Sequence, residues 1–156
     1  MRLLGVDPGV SGAIACYDTD LLALAIRDIP TAKSRQNRSV ILESELARRI
    51  HALAPDQAVV ELVHALPKQG VSSTFSFGVS FGVLRGVLAA FEIPVSFLTP
   101  QEWRRLTRVP GRGGDKGTSR TRACELFPHS AHLFSRVKDH GRADAALIAY
   151  AFTLIK

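Results

Sequence analysis

Short runs of apolar residues, separated by turn-forming residues, follow one another along the first fifth of the chain. The first run, Leu3 to Val6, ends at Asp7 and the Pro8-Gly9 dipeptide, and a second run begins at Ala13. Pro-Gly is a strong turn dipeptide, and short apolar runs bounded by turns are typical of buried strands. A third run spans Leu21 to Ile29. The pattern predicts three consecutive strands joined by tight turns.

The middle of the chain alternates between helical and strand patterns. Residues 31–38 are polar and basic, which indicates a loop, and the apolar spacing over Ser39 to Leu53 predicts a helix. Strands are predicted over Ala58 to Val63 and Ile93 to Leu98, with a helix over about Thr74 to Phe91 between them. A meander followed by strand–helix–strand units predicts an α/β fold, with a mixed five-stranded sheet flanked by helices.

The remainder of the chain is predicted to be mainly helical. Pro100 begins a short helix through Trp103, Lys116 to Phe127 forms a longer helix, and a last helix spans about Gly141 to Leu154. Loops are expected at residues 111–114 and 129–138.

Three glycines interrupt the predicted helix over residues 74–91. Gly78, Gly82 and Gly86 recur at every fourth position, and each costs about 1 kcal/mol of helix stability relative to Ala. The stripe therefore indicates that another backbone approaches closely. We expect close packing against the sheet or another helix; a DNA backbone or a second copy of the chain are the alternatives.

Length and composition are those of one globular domain spanning residues 1–156. The chain is 46% hydrophobic and 22% charged, and no unbroken apolar run reaches the roughly 18 residues that a membrane span needs. The N-terminus has no signal-peptide pattern. We expect a cytoplasmic protein without membrane association, in which Cys16 and Cys124 are free thiols.

Positive charge is concentrated in one segment. The chain carries a net charge of +6, and seven basic residues against two acids lie between residues 101 and 122. A clustered basic stripe is typical of nucleic-acid binders. An anionic membrane surface would also attract it, but no amphipathic apolar face accompanies it. The charge pattern therefore favours a nucleic-acid partner.

Acidic residues occur where the predicted fold would bring them together. Asp7 ends the first strand, Glu61 lies near the end of the strand expected beside it, and Asp144 begins the last helix. Separate structural roles are the alternative: Asp7 accepting turn amide hydrogen bonds, or Asp144 complementing the helix dipole. Gathered together, carboxylates hold the two divalent cations of phosphodiester chemistry. His140 is expected as a fourth ligand, because it lies four residues before Asp144 on one helix face; Asp139 is the alternative, and suits a helix N-cap.

Several segments together resemble RuvC-type Holliday junction resolvases, especially the shorter phage-type and organellar members. The acidic blocks are GVDPGVSGAIA, AVVELVHALP and HGRADAALIAYA, and GVSSTFSFGVSFG, LTPQEWRR and KGTSRTRACELFP match as well. The resemblance covers roughly residues 1–153. It implies an RNase H-like fold, a homodimer, and cleavage of four-way DNA junctions by paired symmetric nicks that leave 5′-phosphate ends.

The resemblance also implies roles for individual residues. Asp7, Glu61 and Asp144 match the metal-binding positions, which would hold two Mg²⁺ ions. His140 stands where this subgroup often has an acid, which leaves Mn²⁺ as an alternative because histidine is a softer ligand. Lys116 matches a lysine near the phosphate. Further DNA contacts are expected from Lys68, Arg104, Arg105, Lys116 and Arg120, with Phe75 or Phe77 as the aromatic wedge in the junction.

Other functions are weighed against this one. The nearest is an RNase H-like nuclease that cuts branched or flapped DNA generally. A second alternative is a junction-binding protein without catalytic activity. Such a protein would have no reason to keep three converging carboxylates, because they repel DNA. An actin-like ATPase shares the opening strand–turn–strand pattern but needs a second subdomain. Dinucleotide and P-loop sites are not favoured, because the sequence has no glycine-rich fingerprint of either kind.

Overall fold

The structure, a computed structural model, describes residues 1–63, 70–110 and 116–155, and for Lys116 it describes the backbone alone. Seven strands lie within these ranges: β1 (Arg2–Asp7), β2 (Ala13–Asp18), β3 (Ala23–Asp28), β4 (Thr31–Lys33), β5 (Ser39–Ile41), β6 (Gln57–Glu61) and β7 (Val95–Leu98). The α-helices are α1 (Glu43–Leu53), α2 (Val71–Ala90), α3 (Pro100–Leu106), α4 (Lys116–Leu126) and α5 (His140–Phe152).

Five of the strands form one mixed sheet in the order β3-β2-β1-β6-β7. The meander β1–β2–β3 is antiparallel, whereas β6 and β7 join it in parallel. This confirms the predicted five-stranded mixed sheet. Strand β1 lies at its centre and is buried on both faces, as its uninterrupted apolar sequence predicts.

Helix α5 covers one face of the sheet, directly over β1. A Cβ atom on Gly5 would overlap the carbonyl oxygen of Ala145 and lie 2.5 Å from the backbone nitrogen of Ala149. The missing side chain at Gly5 and the alanines of α5 therefore let the helix backbone lie directly against the central strand. Arg142 fastens the first turn of α5 to β3, because its guanidinium donates two 2.6 Å hydrogen bonds to the carboxylate of Asp28.

Two hydrophobic cores lie on the two faces of the sheet. The α5 side includes Leu3, Trp103, Phe127 and Phe134, all buried, and α3 and α4 pack there as well. The opposite side is filled by alternate strand residues, among them Leu4 and Val60, and by apolar residues of α1 and α2. Successive side chains of a strand point to opposite faces, so both cores follow from the continuous apolar strands.

The segment after β3 differs from its prediction. Residues 31–38 were expected as a loop and Ser39 to Leu53 as a helix, but Thr31–Lys33 and Ser39–Ile41 pair as a small antiparallel sheet. Helix α1 begins only at Glu43. The β-branched pair Val40-Ile41 extends the chain, and the buried Ile41 is carried into the core by this pairing.

The glycine stripe of α2 has a different environment from the one expected. Cβ atoms on Gly78, Gly82 and Gly86 would meet nothing within 4 Å among the described residues. The expectation of close packing within this chain is therefore wrong. The glycines belong to the exposed part of α2, while Leu84 and Leu88 on the same helix are buried against the sheet.

Helix α2 is also long and apolar enough, by length and composition, to cross a membrane, with a mean hydropathy of 1.3 over its best window. It is not an unbroken apolar run, because it contains four serines, Thr74 and Arg85. Its burial pattern is one-sided, with Ser80, Leu84 and Leu88 on the buried stripe. One face of α2 thus packs against the sheet.

The remaining differences are small. Residues 129–138 contain two short 3₁₀ helices, Pro128–Phe134 and Val137–Asp139, where a loop was expected. The described ends of the other helices and strands lie within a few residues of the predicted ones. Cys16 and Cys124 are both free, with Cys16 buried and Cys124 half-buried.

Candidate active site

The first carboxylate stands at the end of β1, where the chain turns sharply into β2. Gly9 has φ +126°, a conformation that side-chain-bearing residues rarely adopt. The N–H of Gly12 donates to the carbonyl of Gly9 over 3.2 Å, which closes the turn. A Cβ on Gly12 would overlap the carbonyl of Asp7. The two glycines allow a tight turn, which leaves Asp7 at the C-terminal end of β1.

The second carboxylate lies on the neighbouring parallel strand. Val6 of β1 is paired with Val60 of β6, so Asp7 and Glu61 come one position later on adjacent strands. The indole Nε1–H of Trp103 donates a 2.8 Å hydrogen bond to Oε1 of Glu61. Trp103 is buried in α3, whose start is fixed by a capping box between Thr99 and Glu102. A buried aromatic side chain therefore orients Glu61.

The third carboxylate comes from α5. Asp144 is half-buried, and its Oδ1 is a buried oxygen with no hydrogen-bond partner among the described residues. The side chain of Ser119, on α4, tends to lower the pKa of the same carboxyl group. Gly141, one turn earlier on α5, lies against Asp7: a Cβ there would be 2.9 Å from Oδ2 of Asp7. The first turns of α5 thus adjoin the end of β1.

Electrostatic coupling shows that the three carboxyl groups share one neighbourhood. Burial raises the pKa of Asp7 well above its ordinary value, and the charges of Asp144 and Glu61 raise it further. Burial also raises the pKa of Glu61, although the Trp103 hydrogen bond opposes this. The pKa of Asp144 is raised by burial against the opposing hydrogen bond from Ser119. In all three acids the ionised form is therefore unfavourable at its position, which is common for functional groups.

His140 and Asp139 have separate surroundings. His140 is half-buried, and its proximity tends to lower the pKa of Asp144. Asp139 is 2% exposed, and its carboxylate accepts hydrogen bonds from the backbone N–H and the guanidinium of Arg136 at 2.7–3.1 Å. It occupies the N-cap position of α5 without a capping bond from its side chain. The carboxylate of Asp139 is thus already bound to Arg136, whereas His140 lies close to Asp144.

Arg104 lies beside the acids rather than only on the DNA-facing surface expected for it. Its guanidinium donates to the Ser119 hydroxyl at 3.3 Å and to the Thr118 hydroxyl at 3.4 Å. Its positive charge opposes the raised pKa of both Glu61 and Asp144. Trp103 and Ser119 were not predicted as site residues. No sequence pattern marks them, because indole and hydroxyl groups acquire a site role only through contacts between distant segments.

The other predicted DNA-binding residues are spread around the site. Arg105 is exposed on α3, and Arg120 donates a 3.3 Å hydrogen bond to the carbonyl of Arg136. Phe75 is 73% exposed, whereas Phe77 is half-buried. Phe77 stacks on Phe81 and lies beside Gly9 of the Asp7 turn. Lys68 and the Lys116 side chain lie outside the described residues.

The donor chemistry suits a hard divalent cation. Oxygen ligands from carboxylates are what Mg²⁺ and Mn²⁺ prefer, and the unpartnered Oδ1 of Asp144 is available as one. Within the described ranges, no three His, Cys, Asp or Glu side chains already form a metal-holding cluster. The residues therefore fit the cations by chemical type and by shared location, without a preformed ligand shell.

Comparison with solved structures identifies the fold. Thermus thermophilus RuvC in complex with a Holliday junction substrate matches with a TM-score of 0.61 at 14% identity, covering 99% of this chain and 94% of that chain. The chain has an RNase H-like fold. The fowlpox virus resolvase in complex with junction DNA gives 0.52 at 16% identity, with both chains covered completely. The yeast mitochondrial Holliday junction resolvase Ydc2 gives 0.60 at 15% identity, covering 98% of this chain and 78% of that one.

These neighbours are all Holliday junction resolvases, and their identities to this chain are low enough that the likeness establishes the fold alone. No protein-family model matches the sequence, and a search of curated proteins gives no match either. The predicted subgroup, with phage-type and organellar members, remains a prediction.

Proposed function

We propose that this protein is a metal-dependent endonuclease that resolves four-way DNA junctions. The observation that carries the proposal is the convergence of Asp7, Glu61 and Asp144: burial raises the pKa of Asp7 at the end of the central strand, and the charges of the other two acids raise it further. Three acids that oppose one another's ionisation destabilise the fold, so a bound cation is the expected compensation. The shared fold with junction resolvases and the net charge of +6 agree with a DNA substrate.

Asp7, Glu61 and Asp144 would hold the cations, with His140 as the fourth ligand. Two Mg²⁺ ions, or Mn²⁺ as the alternative, would lower the pKa of the attacking water and stabilise the leaving oxygen. Trp103 holds Glu61 in one orientation, and the Ser119 side chain favours the ionised form of Asp144. The positive charge of Arg104 favours the ionised forms of both acids and would stabilise negative charge on a phosphate bound beside them.

A homodimer forms part of the proposal, because paired nicks across a symmetric junction need two active sites. The exposed face of α2 is the surface that would pair. Val71 is 87% exposed on this helix, and Gly78, Gly82 and Gly86 are exposed as well. Open space above Gly78 and Gly82 would let a second helix approach closely.

Cleavage of a labelled synthetic four-way junction tests the function. The wild type should make paired symmetric nicks that leave 5′-phosphates, with Mg²⁺ or Mn²⁺ present. Asp7→Asn should abolish cutting while junction binding persists. Asp20→Asn is the matched control, because Asp20 lies in the turn at the far end of the β1–β2 ribbon, where it pairs with the N-terminal amine over 2.7 Å.

Two results would redirect the proposal. Cutting of flaps as efficiently as of four-way junctions would keep the chemistry and change the substrate to branched DNA in general. Binding without cutting under either metal would identify a silent junction-binding protein.

A further inference from the structure

A short basic arm, residues 31–41, projects from the sheet beside the candidate active site. It is the β4–β5 pair with its connecting turn, and it carries Lys33, Arg35 and Arg38 but no acid. Its base is anchored: the N–H of Ile29 donates to the carbonyl of Gly12 at 3.0 Å, which ties the preceding residues to the Asp7 turn. Ile29 and Ile41 are both buried in the core.

The turn of the basic arm is built by its own hydrogen bonds. The N–H of Ser34 donates to the carbonyl of Arg38 at 2.8 Å, and the hydroxyl of Ser34 accepts from the N–H of Arg38 at 3.2 Å. Asn37 takes the left-handed conformation, with φ 58°, that this turn requires. The arm therefore presents its charges from a fixed backbone.

Arg35 and Arg38 are exposed, and neither guanidinium has a hydrogen-bond or ion-pair partner within residues 1–63, 70–110 and 116–155. Most arginines around the acid site are engaged, as Arg142 is with Asp28 and Arg136 with Asp139. Two unpaired guanidinium groups on a rigid turn are therefore available to an anionic partner.

A groove separates the basic arm from α2. Its outer part, about 500 Å³, lies between the arm, including Arg35 and Arg38, and the α2 residues Phe75 and Val79. Its inner part, about 460 Å³, shares Arg38 and Ser76 with the outer part and ends at Gly9 and Val10. The groove thus leads from the Asp7 turn outward along the arm.

The chemistry of the lining indicates what the groove accepts. Hydroxyl groups of Ser72, Ser73 and Ser76 line the α2 side of the inner part, and Arg38 lies opposite them. Arginine and serine side chains are common contacts to nucleic-acid phosphates. The single acid of the lining, Glu43, belongs to the outer part only.

We propose that this groove binds the sugar–phosphate backbone of one DNA strand, with Arg35 and Arg38 contacting successive phosphates on the strand that enters the acid site. The proposal rests on the proposed nuclease function, since it places the strand by reference to Asp7. Charge complementarity and continuity with the Asp7 turn carry it: the groove begins where the scissile phosphate would lie. Neither arginine belongs to the basic segment 101–122 that the sequence singles out.

Binding measurements across a salt series test the groove. Wild type, Arg35→Ala/Arg38→Ala and the charge-matched control Arg27→Ala/Arg48→Ala are titrated with a labelled four-way junction and with linear duplex, in EDTA. Arg27 and Arg48 are exposed arginines outside the groove lining. Each lost phosphate contact should weaken binding roughly tenfold at 0.1 M salt and reduce the slope of log K against log salt by about 0.9. Arg35→Lys/Arg38→Lys should restore most of the slope.

The outcomes separate the groove from the function. A junction-binding wild type whose arm variant matches the control in affinity and slope overturns the groove and leaves the nuclease proposal standing. Arm-dependent binding of duplex and junction alike, without any cutting by the wild type, keeps the groove and overturns the resolvase. Displacement of DNA by millimolar inorganic phosphate with equal loss in all variants would assign a small-anion site and overturn the strand proposal.

Discussion

The indole nitrogen of Trp103 lies 2.8 Å from Oε1 of Glu61 and donates its hydrogen to that oxygen. This bond joins helix α3 to the end of strand β6 and opposes the rise that burial imposes on the pKa of Glu61. A structural core residue thereby sets the ionisation of a candidate metal ligand.

Replacing Trp103 with Phe should remove the hydrogen bond to Glu61 while keeping an aromatic side chain in the core. Without the hydrogen bond the pKa of Glu61 rises further, so the carboxylate form requires a higher pH. Junction cleavage should slow about tenfold at neutral pH, in line with a lost hydrogen bond of about 1.5 kcal/mol to a charged group. The acidic limb of the pH–rate profile should move to higher pH, while the Kd for the junction stays unchanged.

A core variant away from the acids serves as the control for Trp103→Phe. Phe134→Leu disturbs the same hydrophobic core without touching Glu61. It should lower thermal stability without moving the pH profile. A profile that shifts equally in both variants would contradict a specific role for the Trp103 bond.

Asp7→Asn should stabilise the metal-free protein at neutral pH. Because folding raises the pKa of Asp7, the folded state binds more protons than the unfolded state between the ordinary pKa and the raised one. Stability therefore falls as pH rises through that window, and the charged carboxylate opposes folding above it. Asn removes this penalty, and each kcal/mol relieved should raise Tm by about 2–4 °C in a chain of this size. Thermal unfolding in EDTA measures it, and a Tm at or below that of the wild type would refute the argument.

Divalent cations should reverse the order of stability. A cation that binds only the folded state raises Tm through mass action. Mg²⁺ or Mn²⁺ should therefore raise the Tm of the wild type and of the Asp20→Asn control. Asp7→Asn and Asp144→Asn should show little response. Equal gains in all four proteins would point to non-specific ion binding instead of the predicted acid site.

Gly5→Ala should destabilise the fold and separate the acids. The added Cβ would overlap the backbone of Ala145 and approach the nitrogen of Ala149, so α5 must move away from β1. Forced overpacking of this kind costs about 3 kcal/mol. Urea unfolding should show the loss, and a second change, Ala149→Gly, should fail to recover it because the overlap with the Ala145 carbonyl is with backbone. Full recovery of stability in the double variant would contradict this and show that the overlap is mainly with the Ala149 side chain.

Gly82→Leu tests the proposed dimer. Open space surrounds Gly82 in the described structure, so the isolated chain should tolerate the larger residue and gain helix propensity. In a dimer the same side chain would block the close approach of the second helix. Sedimentation should show a dimeric wild type and a folded but monomeric variant, which nicks junctions singly instead of in pairs. Gln101→Leu, at an exposed position of α3, should remain dimeric. A Gly82→Leu variant that is still a dimer would exclude this face of α2.

Local patterns in the sequence are enough to predict the strand framework and the position of two of the acids at the ends of strands. Uninterrupted apolar runs specify buried strands, and a carboxylate at the end of each of two such strands predicts that Asp7 and Glu61 are neighbours at one sheet edge. The described register agrees, because Val6 pairs with Val60 immediately before them. The mixed five-stranded sheet followed from the meander and the crossover units in the same way.

The side chains that surround the acids depend on tertiary packing. Trp103 and Ser119 reach the acids only because α3 and α4 pack beside β6 and α5, and no local pattern in the sequence encodes such contacts. The same holds for the glycines of α2, since a stripe of small residues signals a close approach without saying to what. Local periodicity reports which residues are buried; which distant side chains meet depends on how the faces of different elements pack together.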